Sequence, residues 1–213
     1  MRGYAGDVAA LTRKDLLLEL RARETLPAML LFVVSTFVIF NFALPAGGSR
    51  LAEDGLLWVA LLFTALLGLG RAFSAEREGG LIDGLVLAPC DRSAIWLAKT
   101  ISTLVFHALA QAVALPAFQL FFGGVDAPTI AGVALADLGI AGVGTLVAAM
   151  ASTSRARELL LPLLFLPLMI PLLIGGVGAT VEAEPGRFLA FLGLYDLIFA
   201  ILSWASFEYV VTE

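Results

Sequence analysis

The chain has 213 residues, of which 60% are hydrophobic and 15% are charged, and its mean hydropathy is +0.97. These values exclude a soluble globular domain and indicate an integral membrane protein, since about 20 apolar residues cross a bilayer. The formal net charge of -5 argues against a nucleic-acid partner. With one cysteine and one histidine, the chain forms neither an internal disulfide nor a multi-cysteine or multi-histidine metal site, so we expect no resident metal.

Residues 1–25 form a charged tail without a long apolar run, so we do not expect a cleaved signal peptide. Thr12 followed by Asp15 is a helix-start pattern, and leucines alternate with charges of both signs as far as Thr25. This pattern favours a helix lying at the membrane surface, with a solvated tail as the alternative. Pro27 fits a joint to the first span, because proline is tolerated in a first helical turn.

Six apolar runs follow the tail, and they predict a transmembrane domain at 26–213. The predicted spans are 26–44, 55–73, 95–122, 130–151, 159–178 and 188–207. Each span must satisfy its own backbone hydrogen bonds in lipid, and none shows the alternation of a barrel strand. The predicted fold is therefore an all-α bundle of six transmembrane helices.

Lysine and arginine divide unevenly between the two sides of these spans. One side carries eleven: Arg2, Arg13, Lys14, Arg21, Arg23, Arg71, Arg77, Arg92, Lys99, Arg155 and Arg157. The other side carries two, Arg50 and Arg187. The positive-inside rule therefore predicts that both termini lie in the cytoplasm.

The connection at 71–99, between spans two and three, combines charges, glycines and apolar residues. Its apolar residues need the bilayer surface or a partner protein to cover them, because a bare loop offers no core. Pro89 ends any helix they form, and Asp91 is suited to cap the next one. Trp96 and Lys99 suit the headgroup level. An ordinary amphipathic connector is the alternative interpretation.

This loop resembles the signature of the type 2 ABC exporter permeases. The resemblance is carried by Glu76, Arg77, Glu78, Gly80, Asp83, Leu85, Leu87, Ala88, Pro89, Arg92, Ile95 and Lys99. It implies a coupling helix that docks in a groove of a separate ATPase subunit and transmits its closure to the membrane helices. The residues it assigns to this coupling are Glu76, Arg77, Glu78, Gly80, Asp83, Leu85, Pro89 and Arg92.

A narrower resemblance extends over nearly the whole chain. The segments DLLLELR at 15–21, FNFAL at 40–44, GLLWVA at 55–60 and DGLVLAPCDRSAI at 83–95 are similar to the CcmB family, the membrane subunits of the cytochrome c maturation haem exporter. The resemblance implies a place in the bacterial inner membrane and haem as a possible substrate. The implied partners are the ATPase CcmA, the haem-handling proteins CcmC and CcmD, membrane lipid and a possible second copy of this chain. Cys90 stands where a small apolar residue is expected in that family.

Neither catalysis nor ATP hydrolysis is expected of the chain itself. A P-loop needs two glycines ahead of Lys-Ser or Lys-Thr, so that backbone N–H groups surround the phosphates. Lys99-Thr100 is the only such pair, and Ser93 and Ala98 occupy the glycine positions. Any ATP is therefore expected on a partner subunit, and no catalytic residue is assigned.

Three histidine or acidic residues fall within the predicted spans, where they are costly and mark candidate sites: His107, Asp137 and Asp196. His107 shares a helix face with Thr103 and Gln111, which predicts either a pathway residue or a histidine hydrogen-bonded within the bundle. Asp137 lies among small residues and is expected to face a neighbouring helix or a second copy. Asp196 is either a polar anchor or a substrate contact.

The fifth span contains three prolines and ends in glycines, which predicts a broken or re-entrant outer end. Pro167, Pro171 and Gly175 are the candidate residues of an outer gate, with static kinking as the alternative.

The combined interpretation is a permease subunit that couples a partner's ATP hydrolysis to haem export or to release of a haem-loaded chaperone. A type 2 exporter permease for a drug, lipid or polysaccharide is one alternative. A membrane scaffold that transports nothing is the other.

Overall fold

The structure is a computed structural model that describes residues 3–45, 49–73, 90–152, 154 and 156–212. The helices within these ranges are α1 Tyr4–Ala22, α2 Thr25–Ala43, α3 Arg50–Leu69, α4 Arg92–Phe121, α5 Ala127–Ser152, α6 Arg157–Val181 and α7 Pro185–Thr212. The last six are long and apolar enough to cross a membrane. The predicted all-helical fold with six spans is confirmed.

The amino-terminal helix is longer than the sequence pattern indicated. It begins at Tyr4 rather than at Thr12, because Val8 packs against Ala94 and Ala98 of α4 and extends the buried contact by two turns. The helix ends at Ala22, where Arg23 adopts a left-handed conformation with φ 54°. Its position at the membrane surface stays a prediction.

Two side chains cap helices at their first turns. The Asp91 carboxylate accepts a hydrogen bond from the Ser93 backbone N–H at 2.8 Å, which confirms the predicted cap of α4. Hydrogen bonding by the Ser93 side chain and backbone lowers the pKa of Asp91. Asp126 caps α5 in the same way, accepting from the Thr129 N–H at 2.9 Å and from its hydroxyl at 2.7 Å. These bonds satisfy donors that the first turn leaves unpaired.

Helix α5 is the central helix of the bundle. In its most apolar segment 67% of the residues are buried inside the bundle. The corresponding share is 17% in α2 and in α7, whose outer surfaces face the lipid. Small residues in α5 allow the neighbouring helices to approach it closely. A Cβ added at Gly144 would lie 2.5 Å from Leu69 of α3, and one at Gly139 would lie 2.9 Å from Leu172 of α6.

Helix α6 is continuous, so the expectation of a broken or re-entrant outer end is wrong. Pro162, Pro167 and Pro171 all lie inside it, and it reaches Val181 before residues 182–184 lead to α7. A proline removes one backbone hydrogen bond, but the helix continues when neighbouring helices pack against it and bond to its backbone. One such bond comes from α7, where the Tyr195 hydroxyl donates to the Leu168 carbonyl at 2.8 Å, in the turn before Pro171.

Trp96 and Lys99 face the interior of the bundle, and their predicted place at the headgroup level stays a prediction. Trp96 is buried and its indole N–H donates to the Gly142 carbonyl at 3.2 Å. Both residues lie in the first turns of α4. They face inward because α1 and α5 cover that side of the helix.

Candidate functional site

Seven of the eight predicted ATPase-coupling residues, Glu76, Arg77, Glu78, Gly80, Asp83, Leu85 and Pro89, lie outside the described residues. The eighth, Arg92, begins α4, and its guanidinium lies 3.0 Å from the Glu208 carboxylate near the end of α7. Glu24 at the start of α2 pairs in the same way with Arg71 just after α3. The described residues on either side of 74–89 are therefore each tied by an ion pair to a different transmembrane helix.

The predicted polar stripe on α4 is buried and is met by Asp137 of α5. The Gln111 amide donates to Asp137 Oδ1 at 3.3 Å, and His107 Nδ1 lies 3.8 Å from the same oxygen. His107 is 1% exposed and Asp137 is 5% exposed. The expectation that Asp137 faces a neighbouring helix is confirmed, and the neighbour is α4.

Asp196 lies apart from this pair. Asp196 Oδ1 lies 2.5 Å from the position of a Cβ added at Gly139 of α5. Gly139 and Asp137 are two residues apart on that helix, so they point in nearly opposite directions. Neither Asp196 oxygen has a hydrogen-bond partner among the described residues. His107 and Asp137 therefore form one cluster, and Asp196 sits on another face of α5.

A second cluster, which the sequence patterns did not indicate, joins α1 to α4. Lys99 Nζ lies 3.3 Å from Asp15 Oδ1 and donates to the Ala72 carbonyl at 2.8 Å, and it also stands 4.9 Å from the centroid of the Phe73 ring. The side chains of Lys99 and Asp15 are 6% and 9% exposed. The signal that could have revealed the pair is a lysine inside an apolar run, which requires an anionic partner.

Glu19 completes this ionic cluster on the α1 side. Its carboxylate accepts a hydrogen bond from the Thr25 hydroxyl at the start of α2. Burial raises the pKa of Glu19, and the positive charges of Arg71 and Lys99 oppose that rise. We call Asp15, Glu19, Arg71 and Lys99 the ionic cluster.

A cavity of about 50 Å³ connects the two clusters. Asp15, Glu19, Arg71 and Lys99 line one part of it, and Thr103 and His107 line the other. The cavity thus runs from the ionic cluster to His107, between α1, α3 and α4, and Asp137 of α5 contacts His107 without lining the cavity. Within the described ranges, no three His, Cys, Asp or Glu side chains gather to hold a metal ion.

Of the candidate gate residues, Gly175 lies at the contact between α6 and α7, whereas Pro167 is exposed and Pro171 is half-buried. A Cβ added at Gly175 would come within 2.8 Å of Leu192, so this glycine allows α7 to approach. Pro167 and Pro171 lie inside the same unbroken helix. None of the three residues lines the cavity between the clusters.

Comparison with known proteins then decides the family. The profile described as "CcmB protein" matches residues 7–206, which is nearly the full length of the chain. The chain belongs to the CcmB family. The matched range begins within α1, ends within α7 and includes the predicted coupling segment.

Three curated relatives support this assignment, and each bears the name heme exporter protein B. The protein of Paracoccus denitrificans is 34% identical, over 93% of this chain and 94% of its own length. The one from Bradyrhizobium diazoefficiens is 31% identical, over 81% of this chain and 80% of its own. The Pseudomonas aeruginosa protein is 34% identical, over 83% of this chain and 81% of its own. With its six spanning helices, this CcmB family member is a multi-pass membrane protein.

Proposed function

We propose that this chain is the membrane permease subunit of a haem-export complex in the bacterial inner membrane, driven by a separate ATPase. The observation that carries the proposal is the family match over residues 7–206, together with three relatives named heme exporter protein B. Six membrane-spanning helices suit a permease subunit. The excess of Lys and Arg on one side supports cytoplasmic termini.

A partner ATPase is proposed because the one Lys-Thr pair of this chain is already engaged. Phosphate binding in a P-loop requires a lysine that projects from a glycine-rich turn. Lys99 instead lies on α4, where its ammonium group contacts Asp15 and the Ala72 carbonyl. ATP is therefore assigned to a CcmA-like subunit, with CcmC-like and CcmD-like proteins handling haem.

In the proposed mechanism, closure of the ATPase subunits moves the segment around Glu76 to Pro89 as a lever. The force reaches the membrane helices at both ends of the segment. One route is the Arg71–Glu24 pair, which leads to α2, and the other is the Arg92–Glu208 pair, which leads to α7. The resulting shift of the helices exports haem or releases a haem-loaded chaperone from the CcmC-like partner.

Crosslinking tests the docking step. Cys90 is replaced by serine, and a single cysteine is introduced at Leu85 in membranes that contain the whole complex. A thiol crosslinker should join Leu85→Cys to the ATPase subunit. The matched control is Gly186→Cys, which is exposed at the opposite end of the bundle and should give no such product. Equal crosslinking from both positions, or from neither, would contradict the assignment.

Charge reversal tests the coupling. Glu76→Lys or Glu78→Lys should lower the content of c-type cytochromes while leaving the protein at its normal level in the membrane. Glu184→Lys, in the exposed connection before α7, is the control and should have no effect. Full cytochrome content in the first two variants would refute the lever. If an inactive ATPase left cytochrome content unchanged, the scaffold alternative would be favoured instead.

A further inference from the structure

The buried pair of α4 and α5 leaves polar atoms without partners. Neither ring nitrogen of His107 has a hydrogen-bond partner among the described residues, and the same holds for Oε1 of Gln111. The Ala65 carbonyl of α3 faces the imidazole but makes no regular hydrogen bond with it. Unpaired buried polar groups are rare in folded proteins, because each loses its bonds to water without replacement.

The cavity next to His107 offers the missing partners. Its volume of about 50 Å³ has room for about three water molecules, at about 15 Å³ each. Its walls are polar and charged on the α1 side, and a buried water needs two to four such partners. The cavity therefore satisfies the conditions for hydration, which an apolar cavity of this size does not.

The charges around the pair are unequally distributed. The groups that face it or line its cavity are Asp15 and Glu19 from α1, Thr25 from α2, Gly68, Arg71 and Ala72 from α3 and its end, Lys99 and Gln111 from α4, and Asp137 from α5. Lys99 is matched by Asp15, and Arg71 by Glu24. The basic group that contacts Asp137 is His107, whose Nδ1 lies 3.8 Å from Oδ1.

We propose that the cavity holds water, and that His107 and Asp137 form a proton-binding site that exchanges its proton with solvent at the α1 end of the bundle. This inference goes beyond the proposed function and does not depend on it. The two side chains are together neutral when they share one acidic proton. That proton lies either on Asp137, as a carboxylic acid beside a neutral imidazole, or on His107, as an imidazolium beside a carboxylate. Burial favours this neutral form over a lone charge.

Exchange follows from the geometry of the two ring nitrogens. The 3.8 Å between Nδ1 of His107 and Oδ1 of Asp137 must first shorten to hydrogen-bond distance. When the Asp137 O–H bond then breaks, its proton forms an N–H bond at Nδ1, which yields the imidazolium. The opposite nitrogen, Nε2, then gives its proton to a cavity water. That water passes a proton to the carboxylates of Asp15 and Glu19 at the other end of the cavity. Proton uptake runs through the same steps in reverse.

Hydrogen exchange at the imidazole ring tests the proposal directly, because His107 is the only histidine of the chain. The hydrogen on Cε1 is replaced by deuterium when water reaches the ring, at a rate that follows the ring's protonation. The full-length protein in lipid nanodiscs is incubated in D₂O over a range of pH, and the peptide that contains His107 is analysed by mass spectrometry. Neither haem nor an ATPase is needed, so failure here is distinct from failure of the proposed function.

We expect deuterium incorporation in the native protein with a sigmoidal pH profile. Asp137→Asn should lower the midpoint of that profile by about one pH unit, because the nearby negative charge favours the imidazolium. Thr103→Leu should fill the cavity and abolish exchange, whereas Leu109→Ala, on the exposed face of the same helix, should leave the profile unchanged.

Two results would overturn the proposal without relying on any cavity-filling variant. The first is a native protein that incorporates no deuterium while the same chain unfolded in detergent does, since the cavity would then be dry. The second is a hydrated His107 whose midpoint is the same in Asp137→Asn and in the native protein, since the two residues would then not share a proton.

Discussion

Replacement of Gly176 by alanine tests how closely α3 and α6 approach. A Cβ at this position would lie 2.5–2.6 Å from three carbons of the Trp58 ring, about 1 Å closer than an ordinary carbon contact. Trp58 is 2% exposed, its indole N–H donates to the Thr180 hydroxyl at 3.3 Å, and its far edge packs near Gly132 of α5. The ring is held on two sides and cannot move away freely.

Two opposing effects decide the size of the change. Alanine in place of glycine stabilises a helix interior by about 0.5–1 kcal/mol, whereas overpacking a close contact costs about 1–3 kcal/mol. The net loss for Gly176→Ala is therefore up to about 2.5 kcal/mol, which corresponds to a fall of up to about 10 °C in the melting temperature of a chain of this size. Thermal unfolding of the purified protein in detergent, followed by tryptophan fluorescence, measures it.

Gly193→Ala is the matched control, because no atom lies within 4 Å of a Cβ added there. This variant should gain about 0.5–1 kcal/mol from helix propensity alone. Combining Gly176→Ala with Trp58→Phe, which removes the larger ring, should show a coupling of at least about 0.5 kcal/mol. If Gly176→Ala is as stable as Gly193→Ala and does not couple to position 58, the close approach of α3 and α6 is refuted.

Two further predictions concern charged groups near the ends of helices. Lys99→Met should destabilise the protein by about 2 kcal/mol, because Asp15 would lose its buried cation and keep only the part-exposed Lys14, whose ammonium group lies 3.1 Å from Asp15 Oδ1. Adding Asp15→Asn should recover part of that loss in the same melting assay. Asp126→Ala should cost about 1 kcal/mol at neutral pH through loss of the α5 cap. The hydrogen bonds from Thr129 lower the pKa of Asp126, so this contribution is fully present above the unfolded value of about 3.9 and is lost as pH falls through the lower folded value. The melting temperatures of native protein and Asp126→Ala should therefore converge in acid, and a constant difference at all pH values would contradict the cap.

The membrane fold was predictable from the sequence because each spanning helix must satisfy its own backbone in lipid. Each span therefore needs about 20 consecutive apolar residues, whatever the later packing of the helices. The polar stripe around His107 was also predictable, because residues four apart on one helix share a face by local geometry. The Asp91 cap depends only on neighbouring residues in the chain and was found for the same reason.

Contacts between helices were not predictable, because nothing local determines which faces meet. Asp137 and Asp196 were alike as acids within apolar runs, yet one meets His107 and the other lies against Gly139. The prolines of α6 predicted a break, but the neighbouring helices keep it continuous. The partnership of Asp15 with Lys99 joins two residues far apart in sequence, and it depends on the docking of α1 against α4. Local patterns thus determined the helices, and only their packing decided which buried charges share a site.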